Sequence, residues 1–318
     1  MNHPTTPPTK KLNTHLAAIE KSTNPCGLVD LKKLPSLFED SSCELWCFKD
    51  NNENYFIKLE KETDPSTSTP FWLMMQSLFD VSLSQALSNS LAISQQLIHQ
   101  DTLQVPEVIQ SITIANRQGT LLSEVVGEAF NACCLNKVNI ELFAAYLSAL
   151  HRQCFTNFGS LHKVQVLNSI SATKDQVISA QAVNNWQKKL RLFFMSNADF
   201  NLSSLQIDQI NALTVSRFVP VMMDLRWDQF AMQKGLLSGV FDLDAYVTAP
   251  IELDFVILEY LLNKSQLDDF VTAYQTHTQL SIPKITHVRQ VYRHLFFIIN
   301  ALGETDYKKW MAHPCYFS

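Results

Sequence analysis

Glycine is the residue that this 318-residue sequence lacks most clearly. It contains seven glycines, whereas average usage is roughly 7% of all positions. Loops that bring their backbone close to a phosphate usually rely on glycine, so a glycine-rich phosphate-binding motif is excluded. Basic residues are not in excess either, because the formal net charge is −5. The sequence therefore indicates no nucleic-acid partner.

Long apolar runs and paired cysteines are also absent. No apolar run approaches the length that spans a bilayer, and no basic amphipathic stretch indicates a membrane surface. Residues 1–11 are rich in Pro and Thr and have no apolar h-region, so no signal peptide is predicted. The seven cysteines include no Cys-x-x-Cys pair. Reduced thiols in a cytoplasmic protein are the simplest interpretation.

The most informative stretch lies between residues 219 and 244. An apolar strand runs into a polar loop that starts at Asp224, and a turn at 234–235 leads to a second strand. That second strand ends on Asp242 and Asp244. Burying a carboxylate without a partner is costly, so an ordinary core strand does not explain these acids.

Magnesium-dependent phosphoryl transfer explains them better. That chemistry needs one carboxylate near the acceptor hydroxyl and separate oxygen ligands for the metal ions. The kinase pattern is Asp-x-x-x-x-Asn, followed by a short hairpin and a metal-binding Asp. Asp224 and Gln229 keep that spacing with Gln in place of Asn, and Asp242 stands at the metal position.

This arrangement resembles the aminoglycoside phosphotransferase and choline kinase family of kinase-like small-molecule phosphotransferases. Two stretches carry the resemblance: Asp-Leu-Arg-Trp-Asp-Gln-Phe at 224–230 and Gly-Val-Phe-Asp-Leu-Asp-Ala-Tyr-Val at 239–247. The resemblance implies an α+β, protein-kinase-like fold with two lobes. A disordered tail with a short helix (1–24) would precede a nucleotide-binding lobe of antiparallel strands (25–122). A helical catalytic and substrate lobe (123–318) would follow.

The resemblance also implies roles for individual residues and a requirement for ATP and Mg²⁺. Asp224 would orient or deprotonate the acceptor, Asp242 would ligate magnesium, and Gln229 would be a second metal ligand. Asp244 would be a further metal ligand or a structural carboxylate. Lys58 would contact the α- and β-phosphates, since a kinase-like fold carries such a Lys on its third strand.

The remaining implied contacts are to the nucleotide. Ser41 and Ser42 lie where a phosphate-binding turn belongs, and the adenine would meet backbone groups at about Glu124 to Val126. The acceptor would be a small molecule. An aminoglycoside, an amino alcohol, a sugar or a vitamin fits equally, and the sequence indicates no oligomeric state.

The patterns around these residues predict the surrounding elements. Strands at 44–49 and 55–59 form a hairpin, and strands at 112–115 and 120–126 form another. Helices are predicted at 12–21, 71–83, 87–100, 186–195, 203–215 and 286–302, with Gly303 ending the last. Asn139 is predicted to cap one helix, and Ser265 with Asp268 to form a capping box. His151 is predicted to be a buried structural histidine.

Four departures from the family pattern keep other functions open. Met222 and Met223 replace a His and a Gly, and Gln229 replaces the metal-binding Asn. The phosphate turn has no glycine, and no Glu occurs from 63 to 106 to pair with Lys58. A degenerate kinase-like binding protein is therefore the alternative to an enzyme. An unrelated α+β protein with a solvated Asp turn is a third interpretation.

Overall fold

The computed structural model describes residues 31–36, 41–50, 52–62, 69–98, 102–164, 178–197, 204–278 and 280–317. The predicted tail and helix within 1–24 lie outside the described residues, as does the predicted start of the 203–215 helix. Within the described ranges, none of the helices combines the length and apolar character that crossing a bilayer requires.

An antiparallel sheet forms the first lobe, with the strand order β1-β2-β3-β5-β4. Its strands are β1 (Lys32–Lys33), β2 (Cys43–Asp50), β3 (Glu53–Glu60), β4 (Val108–Ile114) and β5 (Arg117–Ser123). Both predicted hairpins are present, although β5 spans Arg117–Ser123 and not the predicted 120–126. The second one turns at Ala115 and Asn116, which have φ values of 48° and 64°, as a tight two-residue hairpin turn requires. One face of the sheet packs its own apolar cluster, which includes Ile57, Leu59 and Ile112.

Two helices connect β3 to β4. They are α1 (Pro70–Phe79) and α2 (Leu83–Ile98), close to the predicted 71–83 and 87–100. The break between them comes at Asp80, whose left-handed conformation (φ 56°) ends α1. Ser90 of α2 is buried and shares a 2.9 Å hydrogen bond with Thr120 of β5. The helix therefore lies against the sheet.

Helices dominate the second lobe. They are α3 (Lys137–His151), α4 (Ala180–Ser196), α5 (Ser204–Asn211), α6 (Glu252–Leu261), α7 (Lys264–Thr278), α8 (Arg289–Ile298) and α9 (Tyr307–Met311). One continuous apolar cluster holds them together. His151 at the end of α3 is fully buried and bonds to Tyr274 (2.9 Å) and Asp254 (2.8 Å). It is structural, as predicted.

Several predicted helix ends were wrong. Helix α4 begins at Ala180 and not at 186, and α5 ends at Asn211 and not at 215. Asn136, not Asn139, caps α3, because the Asn139 side chain is buried and its amide binds the backbone of residues 134, 235 and 237. The capping box of α7 is Asn263 with Gln266, whose side chains accept each other's backbone N–H at 3.0 and 2.9 Å. The last long helix ends before Gly303, because Asn300 takes the left-handed conformation (φ 53°).

Two small sheets bring the acidic stretch together. One contains β6 (Glu128–Ala129), β9 (Phe230–Gln233) and β10 (Leu236–Val240); the other contains β7 (Gly159–Ser160), β8 (Phe218–Met222) and β11 (Tyr246–Pro250). The β9–β10 turn lies at residues 234–235, as predicted, and both residues have positive φ. Met222 of β8 pairs with Tyr246 of β11. The loops that follow β8 and precede β11 therefore meet at one edge.

Candidate active site

Asp224 lies two residues beyond the buried strand β8. The Met223 N–H donates to the Ala245 carbonyl at 3.0 Å, which fixes the start of the loop against the segment that leads into β11. One Asp224 oxygen, Oδ2, accepts a 3.2 Å hydrogen bond from Gln229 Nε2. The other, Oδ1, is buried and has no hydrogen-bond partner among the described residues. Because leaving a buried acceptor unpaired costs free energy, this oxygen marks a place for an external donor.

Asp242 and Asp244 follow β10 and lie beside Asp224. The backbone N–H of Asp244 donates to Asp242 Oδ1 at 3.0 Å, which folds the two carboxylates toward one another. The side chain of Asp244 is only 7% exposed and that of Asp242 is 20% exposed. Three carboxylates from two loops thus converge at the same edge.

Lys58 reaches this acidic cluster from the other lobe. It projects from β3, and its Nζ lies 2.7 Å from both oxygens of Asp242 and 2.5 Å from Asp244 Oδ2. Lys58 therefore lies in one cluster with Asp242 and Asp244, although it is far from them in the sequence.

The described residues of helices α1 and α2 supply no carboxylate partner to Lys58. Asp242 and Asp244 are the described ion-pair partners of Lys58. Where β3 faces α2, the carboxylate belongs to the strand and the hydroxyl to the helix. Glu60 on β3 accepts from the Ser84 hydroxyl of α2, which lies 2.9 and 2.8 Å from its two carboxylate oxygens. The second lobe thus supplies the charge that neutralises Lys58.

Burial and mutual repulsion set the ionisation of the cluster. Burial, followed by the charge of Asp242, raises the pKa of Asp224 to about 7, and the same causes raise the pKa of Asp244 to about 7. Although burial opposes it, the Lys58 charge lowers the pKa of Asp242. The pKa of Lys58 is raised by Asp242 and Asp244 against the effect of its own burial. Asp242 and Lys58 therefore form the ionised pair at the centre.

The cluster suits magnesium in its donor chemistry. Carboxylate and amide oxygens are the ligands that this ion prefers, and in phosphoryl-transfer sites one or two carboxylates usually act together with substrate phosphates. In the part of the chain that the structure describes, no three His, Cys, Asp or Glu side chains form a metal cage by themselves. Asp242, Asp244 and Gln229 therefore fit a shared protein–phosphate site rather than a closed one.

Two cavities meet at Lys58 and Asp242. The larger, of about 460 Å³, runs between the sheet and the second lobe to residues 123–127. The smaller, of about 250 Å³, opens on the far side and contains Asp224, Asp244 and Arg226. Its outer wall is made by Phe71 and Trp72 of α1 and by Asn300. The pair of cavities provides one space for a long ligand and another for a small one.

The predicted phosphate turn lies between these cavities. Ser41 lines both, whereas Ser42 lines only the smaller one. The Ser41 hydroxyl donates to the Cys43 carbonyl at 3.1 Å. Cys43, which sequence reasoning did not single out, also lines both cavities, and burial raises the pKa of its thiol.

The segment after β5 differs in detail from the prediction. The Glu124 carbonyl accepts from Gln104 Nε2 at 2.9 Å, and the Val126 N–H donates to Gln104 Oε1 at 3.1 Å. These are the backbone groups at which the adenine contact was predicted, and a protein side chain already binds both. Glu124 still lines the larger cavity, but Val126 does not. No local pattern could have identified Gln104, because its partners lie 20 and 22 residues away.

Comparison with known proteins shows that the chain shares its fold with solved structures to which its sequence is only distantly similar. No family model and no curated protein matches the chain. A macrolide 2′-phosphotransferase, MphH from Brachybacterium faecium, is 13% identical over 89% of this chain and 91% of its own, with a TM-score of 0.53. A GDP complex of a variant of aminoglycoside 2′-phosphotransferase-IIIa is 11% identical over 94% and 93%, with a TM-score of 0.54.

A third similar structure is a protein from Haemophilus somnus 129PT described as a fructosamine-3-kinase. It is 15% identical over 90% of this chain and 86% of its own, with a TM-score of 0.51. The two-lobed α+β fold of kinase-like small-molecule phosphotransferases, and the resemblance to the aminoglycoside phosphotransferase family at the level of fold, are thereby confirmed.

Proposed function

We propose that this protein is an ATP- and magnesium-dependent phosphotransferase that moves the γ-phosphate to a hydroxyl or amine of a small molecule. The observation that carries the proposal is the meeting of Lys58, Asp224, Asp242 and Asp244 where the two cavities join. The nucleotide would occupy the larger cavity between lobes 25–122 and 123–318, and the acceptor would occupy the smaller one. A cytoplasmic location stays a prediction.

Asp224 is the residue that would receive the acceptor. Its Oδ2 is held by Gln229, so its buried and unpaired Oδ1 is the oxygen available to an acceptor hydroxyl or amine. A general base works best when its pKa lies near the working pH, and burial raises the pKa of Asp224 to about 7. The side chain is thus suited to orient the acceptor and to take its proton during transfer.

Lys58 and Asp242 would organise the phosphates. Asp242, with Asp244 and the Gln229 amide oxygen, would hold Mg²⁺, which supplies positive charge between the phosphates when it is bound. Lys58 already lies between the two carboxylates. Metal binding to these oxygens would leave its ammonium group to contact the α- and β-phosphates.

The purine base would lie beside residues 123–127. Gln104 binds the Glu124 carbonyl and the Val126 N–H. The other ends of the same two peptide groups are the N–H and the carbonyl of Val125, because a trans peptide points its C=O and N–H in opposite directions. We therefore assign the base contacts to Val125, which lines the larger cavity. Ser41 and Ser42 would then face the phosphates from the opposite side, with Ser41 at the boundary between the two cavities.

A degenerate binding protein is the second candidate. It is favoured by the Gln229 bond to Asp224, since that amide is drawn toward the catalytic carboxylate. It is also favoured by the ion pairs that already satisfy Lys58. Such a protein would bind nucleotide without transferring phosphate.

ADP release distinguishes the two candidates. Wild type, Asp224→Asn and the control Asp268→Asn, on the surface of α7, would each be mixed with MgATP. Each protein would then be assayed with a panel of aminoglycosides, macrolides, fructosamines, amino alcohols and vitamins. An enzyme releases ADP in response to an acceptor, and Asp224→Asn loses at least about 100-fold of that rate, whereas Asp268→Asn keeps it. Equal turnover by wild type and Asp224→Asn would refute the mechanism.

A further inference from the structure

Arg226 is held on the wall of the smaller cavity by the residues on either side of it. Its backbone is extended (φ −144°, ψ 155°), and the flanking Leu225 and Trp227 are buried. The Arg226 carbonyl accepts from the Gln229 N–H at 3.2 Å. Because successive side chains of an extended segment point to opposite sides, burial of both neighbours turns the Arg226 side chain toward the cavity, which it lines together with Asp224.

One ion pair connects Arg226 with the wall of the larger cavity. Its Nη2 lies 3.1 Å from Asp228 Oδ2. Arg226 lines the smaller cavity and not the larger one, whereas Asp228 lines the larger cavity and not the smaller one. Arg226 therefore lies on the acceptor side of the boundary between the cavities, and its ion-pair partner lies on the nucleotide side. A phosphoryl group that passes from a nucleotide to an acceptor has to cross this boundary.

Arg226 is one of two cations that line the smaller cavity in the described part of the chain. The other is Lys58, and the lining carboxylates are Asp224, Asp242 and Asp244. Lys58 lies 2.7 Å from Asp242 and 2.5 Å from Asp244, which neutralise its charge. Burial raises the pKa of Asp224 to about 7, and the Arg226 charge acts against this rise. Arg226 is therefore the cation beside the carboxylate that would receive the acceptor.

A guanidinium in this position suits the phosphoryl group during transfer. The acceptor oxygen or nitrogen would form a bond to the γ-phosphorus while the bond from that phosphorus to the β–γ bridging oxygen breaks, and ADP leaves with the electron pair. The acceptor proton would go to Asp224 Oδ1. Charge is then spread over the three equatorial oxygens of the phosphoryl group. Arginine stays protonated and presents a planar fork of N–H donors that matches such oxygens.

We propose that Arg226 is a catalytic residue that donates hydrogen bonds to the γ-phosphoryl group as it crosses from the nucleotide to the acceptor. Asp228 is a positioning residue, because its carboxylate holds the guanidinium at the boundary. This role rests on the proposed function, since it concerns the phosphoryl group of that same site. Arg226 would supply a positive charge on the acceptor side, where Lys58 is already paired with two carboxylates.

Calorimetry with MgADP, alone and with aluminium fluoride, isolates this contact. Aluminium fluoride beside ADP imitates the planar phosphoryl group in transfer, so no acceptor has to be identified. The proteins are wild type, Arg226→Met, Arg226→Lys, Asp228→Asn and the matched control Arg191→Met. Arg191 of α4 is also partly exposed and donates to a neighbouring side chain (Asn211, 3.2 Å), but it lines neither cavity. Thermal melts verify that all five proteins fold.

Aluminium fluoride should make MgADP bind to wild type at least about 100-fold more tightly, as transition-state analogues do. Arg226→Met should lose about 10- to 100-fold of this gain, as expected for a hydrogen bond to a charged group. Its Kd for MgADP alone should stay within about twofold of wild type, because the contact is made only to the transferring group. Arg226→Lys should recover part of the loss, since it restores the charge but not the fork. Asp228→Asn should fall between Arg226→Met and wild type, and Arg191→Met should match wild type.

The outcomes separate this role from the proposed function. If wild type gains affinity from aluminium fluoride and Arg226→Met keeps the same gain, the role of Arg226 is overturned and the phosphotransferase proposal stands. If Arg226→Met weakens MgADP alone as much as the aluminium fluoride complex, Arg226 supports the structure of the site and its proposed role is also overturned. If wild type binds MgADP but gains nothing from aluminium fluoride, the role fails and the degenerate binding protein is favoured. If wild type binds neither MgADP nor MgATP, both proposals fail together.

Discussion

Among single side chains, Gln229 shows best how the site departs from the pattern of the phosphotransferases whose fold it resembles. The extra methylene relative to Asn allows Gln229 Nε2 to reach Asp224 at 3.2 Å. The longer side chain therefore holds the Asp224 carboxylate through its nitrogen, and under the proposed function its oxygen would bind the metal. In this structure the substitution that looked damaging in the sequence has a definite contact.

Shortening this residue should reduce activity even though it restores the family's Asn. Gln229→Asn withdraws the amide by about 1.5 Å, so its hydrogen bond to Asp224 Oδ2 is lost. Both carboxylate oxygens of Asp224 are then unpaired. We expect kcat to fall about tenfold, which corresponds to one hydrogen bond near a charged group. Steady-state kinetics with the identified acceptor measure this, and a faster Asn variant would show that the amide acts only as a metal ligand.

At this scale the sequence predicted the acids and the lysine but not their partners. Lys58, Asp224 and Asp242 could be identified because their order along the chain follows a known chemistry. The partners of Lys58 could not, since Asp244 replaces a helix carboxylate from 186 residues away along the chain. Gln104 was missed for the same reason: its contacts exist only after the strands have been brought together.

At the level of elements, β10 connects the segment after β5 with the acidic loop that contains Asp242. It pairs with β9 in register except for an irregularity between Leu237 and Gly239. At that irregularity the strand contacts Gln104 and Val125 through a position that has no room for a side chain. The acidic loop after β10 and the segment after β5 are therefore packed together through Gly239.

A methyl group at this contact should disturb nucleotide binding from a distance. Gly239→Ala places a Cβ within 2.5 Å of Val125 Cγ1 and 2.9 Å of a backbone oxygen. Overpacking of this kind costs about 1–3 kcal/mol, and we expect a lower melting temperature together with a higher KM for ATP. Differential scanning fluorimetry and kinetics check both, and an alanine variant with wild-type values would mean that the strand yields without moving Val125.

The helix caps show where local sequence patterns fail. Ser265 and Asp268 have the spacing of a capping box, but Asn263 and Gln266 have it too and make the bonds. Two overlapping patterns cannot be ranked without knowing where the chain enters the helix. The error was two residues, whereas the helix itself was correctly expected.

Removing the observed cap should lower stability and leave the site intact. Asn263→Ala deletes the acceptor for the Gln266 N–H and is expected to cost about 1 kcal/mol. Ser265→Ala, at the residue predicted from the sequence, should cost much less. Urea unfolding of both variants gives the comparison, with ADP release as the check that activity is retained; a larger loss for Ser265→Ala would restore the original assignment.

For the whole molecule, the C-terminal segment is fastened by one buried acid. Glu259 of α6 is fully buried and accepts from Arg289 at 3.1 Å, from Arg293 at 2.7 Å and from the backbone N–H groups of Tyr316 and Phe317. Two cationic side chains and the end of the chain thus depend on one carboxylate. This arrangement fixes α8, which ends at the turn that supplies Asn300 to the smaller cavity.

Glu259→Ala should therefore be the most destabilising of these substitutions. It leaves two buried guanidinium groups without their carboxylate, and the loss of one partner of a buried pair costs about 3–5 kcal/mol. Asp268→Ala, which breaks an exposed pair with Lys264, should cost under about 1 kcal/mol. Denaturant unfolding compares the two, and similar small losses would mean that solvent reaches the arginines.

The main elements could be predicted because the two hairpins, the strands that lead to Asp224 and Asp242 and most helices have clear local patterns, whereas β11 (Tyr246–Pro250) was not predicted. Their arrangement into a kinase-like fold came from the resemblance of two short motifs, since pairing between distant strands leaves no periodic signal in one sequence. The relation of the lobes through Lys58 is a tertiary contact, and only the structure shows its geometry.

A working magnesium–nucleotide site at Asp242 can be tested by thermal-shift titration with ATP. Wild type and Asp242→Asn would be melted over a range of ATP concentrations, with and without Mg²⁺. A ligand at about 100 times its Kd stabilises the folded state by about 2.7 kcal/mol. We expect a magnesium-dependent rise in the melting temperature of wild type that Asp242→Asn loses. A wild-type melting temperature that no condition changes, or a shift that the variant keeps in full, would contradict it.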